Sequence, residues 1–68
     1  MDGIERFLRI LEKGEWRQIG DIASRLGWTR SKTIRLAEFL SEHGLVHYRR
    51  SEDSVMLDPE LSALMRET

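Results

Sequence analysis

The chain has no cysteine and a single proline among its 68 residues. The first absence removes a disulfide framework and any cysteine-based zinc site, the usual staples of a very small fold. The second leaves the helix and strand patterns uninterrupted as far as Pro59. Long apolar runs are missing too. The longest are three residues, as in Val55-Met56-Leu57, far short of the roughly 20 residues a membrane helix needs. No charged-then-apolar targeting segment opens the chain, so a soluble, cytoplasmic protein without membrane contact is expected. The formal net charge of −1 excludes a uniformly basic chain, and any polyanionic partner must be met by a local patch. At this length there is room for one domain, spanning 1–68, near the lower limit at which a core holds a fold alone.

What is present is helical periodicity cut by glycine. From Asp2 to Lys13, the residues Ile4, Phe7, Leu8 and Leu11 recur at three- and four-residue spacing and predict a helix with one apolar stripe. Glu5 and Arg9 form a favourable surface pair one turn apart, and Gly14 supplies the stop. Glu15 to Gln18 is too short for a helix and reads as a brief edge strand, with Trp16 as a partly buried staple. The run from Ile19 to Val46 is the most informative. A short helix starting near Gly20-Asp21 turns Ile19, Ile22, Ala23 and Leu26 inward, and Gly27 ends it. Ala23, four residues before that glycine, offers a small side chain where a second helix can cross. Thr29 is placed to cap the next helix, which runs to His43 with Thr33, Leu36, Ala37 and Leu40 facing the core. Its first half turns Arg30, Ser31, Lys32, Ile34 and Arg35 outward, with Lys32 near the edge of Phe39. Two helices joined by a glycine turn, the second opening with hydroxyls and cations, make a helix-turn-helix over about 19–43 whose second helix can be offered to a nucleic-acid groove.

The charges divide along the chain in the same sense. Residues 1–27 balance, whereas in 28–50 Arg30, Lys32, Arg35, Arg49 and Arg50 outnumber Glu38 and Glu42. In 51–68 only Arg66 offsets Glu52, Asp53, Asp58, Glu60 and Glu67. A basic middle on an otherwise acidic body suits a DNA-binding face. Catalysis is not expected: no strained nucleophile turn, glycine-rich phosphate loop or pocketed carboxylate pair accompanies the serines and histidines. His43 and His47 are four apart across a glycine helix stop, so they do not share a helix face as metal ligands. His43 is placed instead to interact with the helix C-terminus. No metal or other cofactor is expected.

Beyond Gly44 the pattern changes to alternation. Leu45 to Arg50 and Val55 to Leu57 read as two strands around the polar turn Ser51 to Ser54, a hairpin over about 45–57. Asp58-Pro59 then starts a helix over about 59–67, with Leu61, Leu64 and Met65 as its apolar stripe. The predicted class is α+β, mostly α: a three-helix core, a short hairpin and a C-terminal helix.

This arrangement resembles the winged helix-turn-helix domains of bacterial and archaeal transcription regulators, particularly those related to multiple-antibiotic-resistance repressors. The resemblance spans essentially the whole chain. It rests on Ile22-Ala23-Ser24-Arg25-Leu26-Gly27, Thr29-Arg30-Ser31-Lys32-Thr33, Leu40-Ser41-Glu42-His43-Gly44-Leu45-Val46 and Leu57-Asp58-Pro59-Glu60. It implies a prokaryotic regulator that binds duplex DNA sequence-specifically. Arg30, Ser31, Lys32 and Arg35 would face the major groove, with Thr29 at the head of the same helix, while Arg49 and Arg50 on the wing reach backbone or minor groove. Three features depart from that family. Thr33 stands at a core position usually held by valine or isoleucine, the wing tip Ser51-Glu52-Asp53-Ser54 is acidic, and long dimerising helices are lacking. A homodimer would therefore use the terminal helices. The acidic tip and tail leave open a second reading, in which this face docks onto a protein within a larger assembly.

Overall fold

The computed structural model describes residues 3–67. Helix α1 (Gly3–Ile10) leads to strand β1 (Arg17–Gln18), then helix α2 (Ile19–Leu26) and helix α3 (Arg30–Glu42). Strand β2 (Val46–Arg49), a 3₁₀ turn (Arg50–Glu52), strand β3 (Ser54–Leu57) and helix α4 (Pro59–Glu67) follow. The result is the expected α+β winged helix-turn-helix, with β1 added to the hairpin. The sheet order is β1-β3-β2, all antiparallel, with Arg17 opposite Val55 and Val46 opposite Leu57.

The helix ends explain the boundaries. After Ile10 the α-helical ladder gives way to three-residue bonds, from the Leu11 amide to the Leu8 carbonyl and from Gly14 to Leu11. α1 thus stops before Lys13, yet Leu11 stays buried. Its N-terminal expectation at Asp2 lies outside the described residues. Ile4 sits at the rim of the stripe, 38% exposed, so Phe7 and Leu11 carry that face. α2 begins at Ile19 rather than at Gly20-Asp21, because the Ile19 amide donates to the Asp53 carbonyl at 2.9 Å. It ends at Gly27, whose φ of 72° is left-handed, and the Trp28 amide closes onto the Ala23 carbonyl at 3.0 Å. α3 ends by the same closure, with Gly44 in the left-handed region and the Leu45 amide on Leu40.

The core collects Phe7 and Leu11 from α1, Ile19, Ile22 and Leu26 from α2, Ala37 and Leu40 from α3, and Val46, Val55 and Leu57 from the sheet. Thr33 is fully buried among them, and its hydroxyl donates to the Thr29 carbonyl at 2.9 Å. The methyl fills space while the hydroxyl is satisfied by the preceding turn. In α4 the inward positions are Leu61, Ser62 and Met65, while Leu64 is 61% exposed, contrary to the expected stripe. At about 100° per residue, Leu64 falls roughly 110° from the mean direction of those three. The Ser62 hydroxyl donates to the Glu12 carbonyl at 3.0 Å, hooking α4 onto the turn after α1.

Asp58 joins the wing to α4. Its carboxylate accepts the Glu60 and Leu61 amides and lies 3.0 Å from His47 Nε2. The His47 contact first, and then the capping amides, hold its pKa below the usual carboxylate value. A depressed carboxylate contributes stability that is present above the ordinary carboxylate range and lost as pH falls through the depressed value. Asp58→Asn should therefore lower stability at neutral pH and flatten the acid-side decline, as read by urea unfolding from pH 6 down to 2. Ala23, 6% exposed on α2, should not admit a larger residue. Ala23→Leu is expected to cost about 1–3 kcal/mol by overpacking, measured as a lower urea midpoint.

Candidate nucleic-acid interface

The site is built on the first turns of α3 and the adjoining wing. Thr29 has extended backbone angles, and its Oγ1 accepts the Lys32 amide at 3.1 Å, so the start of α3 is fixed by a side-chain cap. Arg30, Ser31, Lys32 and Arg35 are all exposed on this helix, as the sequence predicts. Their environments differ. Arg30 Nη2 pairs with Asp53 Oδ2 of the wing at 2.5 Å. Lys32 Nζ sits 4.5 Å above the Trp28 ring rather than at Phe39, whose ring packs against His43. Trp28 in turn stacks on Phe7, so the lysine is seated on a platform anchored in the core. Among the described residues, Arg35 is the one cation of this face with no ion pair, hydrogen bond or ring contact.

The two wing arginines part company. Arg50, at the head of the 3₁₀ turn, donates to Glu38 Oε2 of α3 at 2.6 Å and so joins the α3 face. Arg49 does not. In β2, Val46 is buried and Tyr48 half-buried on the core side, so His47 and Arg49 alternate to the outer face of the sheet. There the Arg49 guanidinium covers Trp16 at 4.4 Å and reaches Glu52 at 3.3 Å. Trp16 is 37% exposed and acts as the floor for that arginine.

Three participants are not singled out by the sequence pattern. Asp53 and Glu38 are the carboxylates that hold the two arginines. Gln18 ties β1 to the wing through its amide, which donates to Ser54 Oγ at 3.1 Å and to the Glu52 carbonyl at 3.4 Å. The signal for the carboxylates is a crossed charge pattern. The helix carries Arg30 and Glu38 where the wing carries Asp53 and Arg50, and a hairpin returning beside the helix brings unlike charges together. The acidic wing tip is thus largely engaged at home instead of standing free to repel phosphates.

The IclR helix-turn-helix domain model matches residues 3–50, from α1 through the wing's first strand. The chain belongs to the IclR-type helix-turn-helix family. No curated protein and no solved structure matches it. Membership makes this a DNA-binding domain of a transcription regulator, with duplex DNA bound in a sequence-specific manner. Nothing in the match favours the protein-docking alternative. The placement of α3 in this IclR-type domain depends on its cap. Thr29→Ala should lower stability by about 1 kcal/mol, while Thr29→Ser should retain most of it, both measured by denaturant unfolding.

Proposed function

We propose that α3 enters the major groove with Thr29, Arg30, Ser31, Lys32 and Arg35 towards the DNA, and that Arg50 contacts the flanking backbone. The same docking is implied by the likeness to multiple-antibiotic-resistance repressors. The observation that carries this reading is the state of Arg35: exposed in the middle of the α3 face, and without a partner among the described residues. An arginine free of internal pairs can bring its planar fork to a guanine edge. Arg49, turned to the outer face of the sheet over Trp16, is assigned no contact in this pose.

The chain works by binding, without catalysis, and acts in the cytoplasm. No helix of the described residues is long and apolar enough to cross a membrane. A homodimer formed through α1 and α4 would present two copies of α3 to half-sites about 34–36 Å apart. Leu64 on α4, 61% exposed, supplies apolar surface for that contact.

A backbone amide NMR titration with mixed-sequence duplex at low salt tests the interface directly. Shifts should concentrate at 29–35 and at Arg50 and fade with salt, while shifts confined to other surfaces would refute the pose. With Lys32 and Arg50 at phosphates and Arg30 and Arg35 at base edges, log affinity should fall with log salt at a slope of about −2 per subunit. Arg35→Ala should weaken binding to a selected site by roughly 5- to 100-fold and relax preference at one or two base pairs. Unchanged affinity and preference would remove Arg35 from the contact.

A further inference from the structure

Asp53 is held from three sides. Its carbonyl accepts the Ile19 amide at the head of α2, its amide donates to the Arg50 carbonyl at 3.2 Å, and its backbone is left-handed with φ 58°. Its carboxylate, 27% exposed, pairs through Oδ2 with one Nη of Arg30, whose side chain remains 58% exposed. The backbone that carries the carboxylate is therefore fixed, and the guanidinium paired with it keeps most of its five N–H donors turned to solvent. A free arginine side chain loses rotamer entropy when it is immobilised. Holding it beforehand lowers that cost at the moment of binding and restricts which atoms it can meet.

Resting on the DNA-binding reading above, we propose that Asp53 is a positioning residue for sequence recognition. It touches no DNA, and it aims Arg30 at a base edge. A simple surface ion pair has another signature, because a carboxylate that only competes with phosphate weakens binding to every sequence alike.

The test uses the duplex that the unmutated chain selects from a random pool, together with its single-base-pair variants. Asparagine tolerates the left-handed backbone, so Asp53→Asn should keep the fold, checked by an unchanged thermal unfolding transition. The expected result is a loss of roughly tenfold discrimination at the one or two base pairs that Arg30→Ala also affects, with discrimination elsewhere retained. The double variant Arg30→Ala/Asp53→Asn should lose no more discrimination than Arg30→Ala alone, since the two act as one unit. Uniformly tighter binding of Asp53→Asn to all duplexes, with preference intact, would overturn the proposal while leaving the DNA reading in place. An unmutated chain that selects no duplex would overturn both, and that failure is recognisable because it needs no substitution.

Discussion

The hydrogen bond from the Ile19 amide to the Asp53 carbonyl joins the head of the helix-turn-helix to the tip of the wing, and the geometry of the site follows from it. A helix N-terminus leaves amides without partners, and here one of them is satisfied by a strand turn thirty-odd residues downstream. β1 leads directly into that helix and pairs with β3, so the sheet and α2 share one backbone origin. Since α3 packs against α2, fixing α2 to the wing fixes the angle between recognition helix and wing as well. The Gln18 amide bonds to Ser54 and Glu52 reinforce the same joint.

Electrostatics then operates on a rigid frame. A net charge of −1 gives little long-range attraction for a polyanion, so the domain depends on where its cations are held. Two cross-element pairs, Arg30 with Asp53 and Glu38 with Arg50, lie between α3 and the wing. Each is solvent-exposed and adds little to stability. Their effect is conformational, because they decide which guanidinium groups are spoken for and in what orientation. Arg35 keeps its whole fork available, while the Lys32 ammonium lies over the Trp28 ring.

The periodic parts of the fold were legible from residues alone. The α2–turn–α3 pattern, the Thr29 cap, the core-facing Thr33, and α4 from Pro59 to Glu67 all follow from spacing and capping chemistry. What spacing could not show was set by tertiary contacts. α2 starts one residue early because Asp53 reaches its first amide. Leu64 faces out because Ser62, a polar residue, found a carbonyl in the turn after α1. Lys32 turns back to Trp28 instead of forward to Phe39, a choice between two aromatic neighbours that one-dimensional periodicity does not rank. For the site, the face of α3 was readable, whereas the separation of Arg49 from Arg50 was not, because β2 ends at Arg49 and Arg50 opens the 3₁₀ turn. The partners of the arginines were not, because they lie across a hairpin whose turn geometry had to be known first.

The sheet has a further consequence for how the domain behaves in a crowded solution. Among the described residues its central strand is β3, paired on both sides at Ser54 and Val55 and with Val55 and Leu57 buried. The two edge strands are two and four residues long, and the longer one carries His47 and Arg49. Short, charged borders make poor templates for strand-to-strand addition between molecules. Copies of this domain brought close together are thereby discouraged from zipping into continuous β-structure.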